Sequence, residues 1–176
     1  IDSSPTFVGF LFLRNCSYIP LMKKIILLLI FMTTLSFSQA VTDKSPFNAV
    51  QNLFAAMSAF DYSKMKSVVT DDFQLLEAGE VWDIDILIDA IKPYENTFSR
   101  RNYFSLIKVV SNEDIVWVSY WNKAIITMPN KTSEKSWLES VVLVKDKNNW
   151  KLQMMHSTIV LSKNIPADVE FIEYID

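Results

Sequence analysis

The sequence predicts an α+β fold in which a curved antiparallel sheet forms a cone covered by three N-terminal helices. Residues 45–91 carry apolar side chains at helical spacing in three segments, whereas residues 102–161 read as four long strands. The turns between those strands are short, so neighbouring strands must be antiparallel. Half of the 176 residues are hydrophobic, which suits a single domain with a sizeable core.

The three helices are predicted from apolar stripes and capping residues. The first covers about 45–60 and begins at Ser45, which precedes a proline suited to the first helical turn. The second covers about 63–70. The third begins at Asp83 or Asp85, either of which can cap its first turn.

The strands follow from β-rich runs bounded by turn residues. A short hairpin pairs 73–77 with 80–82 and turns at Gly79, where a positive φ is expected. The four long strands are predicted at 102–110, 114–128, 133–145 and 150–161. This order of elements places the helices on one face of the sheet and leaves an interior between them.

The N-terminal residues predict export. Residues 22–40 resemble a signal peptide, with a basic start, an apolar run and small residues before a cut after Ala40. The run is short for a membrane span, although an anchor or a buried helix is the alternative. Residues 1–21 begin with Ile and are interpreted as upstream residues translated from a misplaced start. The domain then spans 41–163, followed by an acidic tail, 164–176, that either frays or docks. The expected location is the periplasm or the medium.

Charge and cysteine content exclude several classes of function. Removing residues 1–40 takes away three of the 17 basic and one of the 20 acidic residues, which leaves a net charge of −5. Such a domain has no electrostatic attraction for nucleic acid or for anionic lipid. Cleavage also removes Cys16, the only cysteine, so no disulfide, thiol nucleophile or thiolate metal site is expected.

The strand register predicts a graded interior. Tight turns fix which side chains face one another, and the two hairpins are predicted to turn about residues 112–113 and 147–148. The pairs expected at the far ends are Glu139 with His156, Trp137 with Thr158, Ser105 with Tyr120, and Tyr103 with Asn122. In both hairpins this side runs from aliphatic residues near the turn to polar and aromatic residues away from it. A closed core that grades into a polar mouth predicts a ligand pocket.

The opposite side of the same strands is too apolar for a face that meets only water. It is predicted to carry Phe104, Leu106, Trp117, Trp121, Leu138 and Val142. An apolar sheet face of this kind predicts a second protomer, so a homodimer through the outer face is expected.

The candidate functional residues cluster at the polar end of the predicted pocket. The ligand-binding candidates are Trp82, Tyr103, Tyr120, Asn122, Trp137, Glu139 and Thr158. A carboxylate beside His156 could orient its imidazole for proton transfer, and Glu77 could point into the mouth. The alternatives are structural: a satisfied buried polar contact for the pair, and a position in the core for each aromatic side chain.

Metal and cofactor sites are not expected. Asp83, Asp85 and Asp89 are better explained by helix capping and spacing than by metal binding, and one histidine does not make a transition-metal site. The sequence contains no phosphate-binding loop, no nucleophilic serine elbow and no Cys/His cluster.

The chain resembles a known superfamily in its order of elements, its Val69-Thr70-Asp71-Asp72-Phe73 junction and its ending, Trp150-x5-His156-x-Thr158. These features resemble the nuclear transport factor 2-like superfamily, and within it the SnoaL-like small exported proteins. The ending is also similar to the Trp…His-x-Ser ending of the calcium/calmodulin-dependent kinase II association domain, with Thr158 in place of serine. The resemblance spans about 46–161.

The resemblance implies a cystatin-like cone with a deep pocket, often dimerising through the outer face of its sheet. Members related to ketosteroid isomerase place a general-base aspartate near the first strand, and Glu77 matches that residue by position only. Their oxyanion hole needs a tyrosine and a protonated acid, for which Tyr103 or Tyr120 could serve. The expected function is binding of a small, partly apolar molecule. The alternatives are an isomerase, cyclase or dehydratase using Glu77 or His156, and a structural dimerisation domain.

Overall fold

The computed structural model describes residues 45–175, so the expectations for residues 1–44 and for Asp176 lie outside the described residues. Three α-helices come first: α1 (Asn48–Ala59), α2 (Tyr62–Ser67) and α3 (Ile84–Ile91). Each matches a predicted helix with shorter bounds. None of the helices in this part of the chain is long and apolar enough to cross a membrane.

Aspartates begin the second and third helices. The Asp61 carboxylate accepts a hydrogen bond from the Lys64 amide at 2.9 Å, and the Asp83 carboxylate accepts one from the Ile86 amide at 2.8 Å. Both contacts satisfy an amide that the first helical turn leaves unpaired. Asp83 is therefore the cap of α3, and Asp85 lies inside the helix. Ser45 does not cap α1, which begins three residues later without a side-chain cap.

Seven strands form one sheet. Their bounds are β1 (Val69–Glu77), β2 (Glu80–Trp82), β3 (Ser99–Asn112), β4 (Ile115–Met128), β5 (Lys131–Asp146), β6 (Asn149–Val160) and β7 (Ile172–Tyr174). Their order across the sheet is β2-β1-β6-β5-β4-β3-β7. The long strands pair as an antiparallel meander, as predicted, while β1 runs parallel to β6. The predicted α+β class, with helices against a curved, mostly antiparallel sheet, is confirmed.

Two irregularities change the register of the long hairpins. In β3 the pairing shifts between Leu106 and Lys108, and in β6 it shifts between Leu152 and Met154. Each shift inserts one extra residue, Ile107 or Gln153, opposite a regular partner strand. A bulge of this kind reverses the face on which every later side chain lies, relative to an uninterrupted strand.

The core lies between α1 and the inner face of the sheet, meaning the face that the helices cover. Phe47 packs edge-on against Phe104 and Tyr120, with ring centroids 5.6 Å and 5.0 Å apart. The predicted inner positions of β4 and β5 are correct, since Val116, Val118, Tyr120 and Asn122 are buried, as are Glu139, Val141 and Leu143. Phe104 is also buried here, so its predicted position on the outer face was wrong.

The outer face, on the side of the sheet away from the helices, carries apolar side chains. Trp117 lies opposite Val142, and Trp121 lies opposite Leu138. Trp117 is 37% exposed and Leu138 is 40% exposed. The outer face is therefore apolar, as the strand pattern predicts.

The C-terminal tail docks rather than frays. Its strand β7 pairs with residues 102–104 of β3. The Tyr174 hydroxyl donates to the Asn52 side chain on α1 at 3.4 Å, and Glu173 forms a 3.6 Å ion pair with Arg101. The tail thus extends the sheet by one short strand.

Candidate functional site

A cavity of about 310 Å³ opens between the first and third helices and the inner face of the sheet. Its lining residues come from eight elements: Leu53, Phe54, Met57, Leu75, Glu77, Trp82, Leu87, Ala90, Ile91, Arg100, Asn122, Lys135, Trp137, Glu139, Met155 and Ser157. The volume lies at the lower end of the range for small-molecule sites.

Most of the cavity wall is apolar. Helices α1 and α3 contribute only hydrocarbon, thioether and aromatic side chains to the lining. Trp82 adds an indole from β2, and its Nε1 atom donates a 2.8 Å hydrogen bond to the Glu80 carboxylate. That bond holds the indole beside the cavity and satisfies its only donor.

One end of the cavity is polar and centred on Glu139. Its side chain is only 4% exposed. The Asn122 Nδ2 atom donates to one carboxyl oxygen at 3.2 Å, and the Ser157 hydroxyl donates to the other at 3.1 Å. Each oxygen of the carboxyl group therefore has a donor from a neighbouring strand.

Burial raises the pKa of Glu139 to about 7 because the ionised carboxylate loses its water. The contacts from Tyr120, Ser157 and Asn122, together with the charge of Arg100, oppose this increase without cancelling it. Near neutral pH both protonation states are thus populated. A carboxyl group in this condition can accept or release a proton.

Arg100 provides the positive charge of the polar end. Its Nε atom donates a 2.7 Å hydrogen bond to Asn102, and its guanidinium lies 5.2 Å from the ring centre of Phe54 and 5.5 Å from that of Trp137. Loss of water lowers the pKa of Arg100 to about 10, against the attraction of Glu139. The side chain therefore stays charged at neutral pH and is held between two aromatic faces.

Two buried polar atoms near Glu139 lack a full hydrogen bond. The Asn122 Oδ1 atom and the Tyr120 hydroxyl are buried without a well-formed hydrogen bond to any residue in the described part of the chain. The Tyr120 hydroxyl contacts Glu139 closely enough to lower the pKa of that carboxyl, yet its geometry falls short of a hydrogen bond. Burial and the nearby Glu139 charge raise the pKa of Tyr120 well above its ordinary value.

The cavity brings together most of the candidates that the sequence singled out. Glu77, Trp82, Asn122, Trp137 and Glu139 line it. Tyr120 packs behind the lining, fully buried, against Glu139. The residues of β4 and β5 thus lie on the face that the strand register predicted, and Glu77 and Trp82 lie in the same cavity.

The predicted pairing of His156 with Glu139 was wrong. Because of the bulge at Gln153, His156 lies opposite Ser140, and Glu139 lies opposite Ser157. His156 is exposed on the outer face and does not line the cavity. A joint role with Glu77 inside the cavity is therefore not available to His156.

Two ligand candidates are also displaced from the cavity. Thr158 lies opposite Leu138 on the outer face, for the same reason as His156. Tyr103 also lies on the outer face, opposite Lys123, because the bulge at Ile107 reverses the faces of the residues that precede it in β3. The turn of this hairpin is centred one residue later than predicted, which changes the partners of β3 but not the faces. The Lys123 ammonium lies 5.1 Å from the Tyr103 ring centre.

Arg100 and Ser157 are site residues that the sequence reasoning missed. Arg100 precedes the predicted start of its strand at residue 102, although β3 begins at Ser99. Had that strand been extended, the alternation of Arg100, Asn102 and Phe104 would have been the available signal. Ser157 was assigned to the wrong face by the same one-residue error that misplaced His156.

The site suits polar recognition and proton transfer by side chains. Within residues 45–175, no three His, Cys, Asp or Glu side chains are grouped closely enough to hold a metal ion. The cavity instead holds the buried Glu139, the stacked Arg100 guanidinium, the less buried Glu77 and Lys135, and several uncharged donors and acceptors. These groups can bind a small molecule that is mostly apolar with one polar end.

The raised pKa of Glu139 predicts that the free energy of unfolding decreases as the pH rises from about 4.5 to about 7. In that window the folded protein keeps a proton on Glu139 that the unfolded chain has released, so deprotonation favours unfolding. The stabilisation is present below this window and is lost above it. The difference is on the order of 3 kcal/mol.

Urea denaturation at about pH 5 and about pH 8.5 measures this dependence. We expect Glu139→Gln, which cannot ionise, to be more stable than the wild type at the higher pH and to show a flatter profile. Glu134→Gln removes an exposed carboxylate from the same strand and should keep the wild-type profile. If the free energy of unfolding changed with pH equally in the wild type and in Glu139→Gln, the raised pKa of Glu139 would be contradicted.

Comparison with known proteins identifies the fold independently. A hub homology domain of CamKII from Chlamydomonas reinhardtii matches with a TM-score of 0.58 and 17% identity over 65% of this chain and 95% of that one. A ketosteroid isomerase-like protein from Erwinia carotovora atroseptica matches with a TM-score of 0.54 and 17% identity, over 71% of this chain and 99% of that one. An NTF2-like protein from Cytophaga hutchinsonii matches with a TM-score of 0.52 and 17% identity, over 65% of this chain and 94% of that one.

At these identities the similar structures establish the fold alone. No curated protein sequence matches the chain at a significant level. The model of the SnoaL-like domain family matches residues 48–162, which is more than half of the chain. The predicted membership of the nuclear transport factor 2-like superfamily is thereby confirmed, and the protein belongs to the SnoaL-like domain family.

Proposed function

We propose that the protein binds a small, partly apolar molecule in the cavity between its helices and its sheet. The observation that carries the proposal is the contrast between the two parts of the lining. Apolar and aromatic side chains from α1, α3 and the strands form most of the wall, and Arg100 and Glu139 form one polar end. Such a combination orients a ligand by its polar group while burying the rest.

A second candidate function is acid–base catalysis on the bound molecule. Glu139 supports it, because a buried carboxyl group with a pKa of about 7 can donate or accept a proton at neutral pH. Glu77 lines the same cavity and could act as a second carboxylate. On this proposal Glu139 takes the role that the sequence suggested for His156, in a reaction of the isomerase, cyclase or dehydratase type. A structural dimerisation domain without a ligand is the third candidate.

Filling the cavity should abolish ligand binding. Ala90 lines the cavity from α3, so Ala90→Trp places an indole in the space that a ligand would occupy. Asp89→Trp adds the same side chain at the preceding, exposed position outside the lining and serves as the matched control. The measurement is a thermal-shift screen of all three proteins against a library of small apolar metabolites.

We expect hits that stabilise the wild type and Asp89→Trp but leave Ala90→Trp unchanged. Stabilisation is expected because a ligand that binds only the folded state shifts the unfolding equilibrium. Hits that stabilise all three proteins equally, or no hit for the wild type, would refute the proposed cavity function.

We also propose a homodimer formed through the outer face. Its support is the exposed apolar surface there, including Trp117 and Leu138, and the similarity in fold to a hub homology domain. Burying that face against a second copy would remove this surface from water.

Sedimentation velocity tests the dimer. We expect the purified wild type to sediment as a dimer and Trp117→Arg, which places a charge on the outer face, to sediment as a monomer. Ile86→Arg introduces the same charge at an exposed apolar position on α3 and should remain dimeric. A monomeric wild type, or a dimer unaffected by Trp117→Arg, would rule out this interface.

The N-terminal segment supports a proposal of export, with residues 22–40 acting as a cleaved signal peptide. N-terminal sequencing of the protein recovered from outside the cytoplasm of its source tests this. We expect the mature chain to begin at Val41. A mature chain that retains residues 1–21 would contradict both the export proposal and the interpretation of those residues as upstream sequence.

A further inference from the structure

The two charged groups at the polar end of the cavity face one another without forming an ion pair. Within residues 45–175, no ion pair of 4.0 Å or less joins Arg100 to Glu139, although each alters the pKa of the other. Both side chains line the same cavity. Opposite charges that line one small cavity without touching leave room for a group between them.

Arg100 is fixed in place before any ligand binds. Its Nε atom is bonded to Asn102, and the guanidinium lies between the faces of Phe54 and Trp137. In the described part of the chain no residue accepts a hydrogen bond from its two terminal nitrogens. A planar guanidinium with two free N–H groups on one edge matches the geometry of a carboxylate.

Glu139 offers the complementary contact. Its two oxygens accept from Asn122 and Ser157, which hold the carboxyl group in one orientation. When protonated, Glu139 gains an O–H donor in addition to these two contacts. The O–H group can then donate to an acceptor in the cavity.

We propose that the cavity binds the carboxylate of a small apolar acid between Arg100 and Glu139, with uptake of a proton by Glu139. Both carboxylate oxygens accept from the terminal nitrogens of Arg100, and one of them also accepts from the protonated Glu139. This inference rests on the proposed ligand-binding function and specifies its ligand class. The apolar part of the acid lies against the side chains of α1 and α3.

The charges that face the site favour an anion over a cation. The lining residues of α1 and α3 carry no ionisable group. Arg100 on β3 and Tyr120 on β4 are the ionisable groups that interact with Glu139, and Glu77 on β1 and Lys135 on β5 line the same cavity. Glu77 and Lys135 carry opposite charges, and Tyr120 is neutral. With Glu139 protonated, Arg100 is left as an uncompensated positive charge.

The affinity should therefore depend on pH in a defined direction. A bound carboxylate repels ionised Glu139, so binding raises its pKa and takes up a proton. Affinity is greatest below a pH of about 7 and decreases up to about tenfold per pH unit above it. It decreases again below a pH of about 4, where a typical ligand carboxylate becomes protonated.

Calorimetric titration with three acids tests the inference: phenylacetate, hydrocinnamate and octanoate, each beside its neutral amide. We expect at least one acid to bind the wild type more tightly than its amide, and more tightly at about pH 6 than at about pH 8.5. Titration at pH 7 in two buffers with different ionisation heats should show uptake of about half a proton per ligand.

Three variants and one control separate the contributions of the two residues. Arg100→Met should weaken binding of the acid by about ten- to a hundred-fold and leave the amide unchanged, because a charge-assisted contact is lost. Arg101→Met, at the adjacent exposed position paired with Glu173, is the matched control. Glu139→Gln should retain binding of the acid but lose both the pH dependence and the proton uptake. Arg100→Lys, which keeps the charge, should retain binding partly.

The outcomes are distinguishable from failure of the proposed function. Equal binding of acid and amide, or binding of amides alone, would overturn the carboxylate inference and leave the cavity function intact. Absence of binding by every acid and amide, together with no hit in the metabolite screen, would refute both. If circular dichroism shows that Arg100→Met does not fold, the wild-type protein still tests the inference. The measurements are then the pH dependence of its affinity for the acid and the number of protons taken up on binding.

Discussion

The extra residue Gln153 in β6 determines which side chains of that strand reach the cavity. Before the bulge, Leu152 faces the helices, and after it Met155 and Ser157 do so. Without the extra residue Met154, His156 and Thr158 would face inward. The cavity would then contain an imidazole in place of the Ser157 hydroxyl that bonds to Glu139. A one-residue insertion in one strand thus decides the chemistry of the site, and a bulge also increases the local bend of the sheet.

A second constraint is the burial of Glu139 among apolar elements. An ionised carboxylate at 4% exposure is unfavourable unless donors and an opposite charge surround it. Asn122 and Ser157 supply two donors, and Arg100 supplies the charge at a distance. These contacts compensate burial only in part. Buried carboxyl groups with a raised pKa are common at functional sites, and the cavity around Glu139 has room for a ligand beside it.

The sequence was sufficient to predict the fold because its signals were redundant. Helix caps, apolar stripes and short turns each led to the same order of elements, and β4 and β5 were assigned to the correct faces. The faces of β3 and of the second half of β6 were not predictable, because neither Ile107 nor Gln153 differs in type from a regular strand residue. In the turn Ser111-Asn112-Glu113-Asp114 any central pair suits a tight reversal, so its centre was ambiguous by one residue. Glu139, Asn122 and Trp137 were therefore found, whereas Arg100 and Ser157 were not.

The parallel pairing of β1 with β6 has a consequence for how the protein folds. Val69 pairs with Leu152 and Glu77 pairs with Ser157. The first strand of the domain therefore makes its backbone hydrogen bonds on this edge only when the last long strand is in place. Contacts between residues so distant in sequence form late and slow the folding of β-rich domains. The three-strand meander of β3, β4 and β5 can form earlier from local hairpins. The cavity takes walls from both β1 and β6, so we expect it to form only once these two strands have paired.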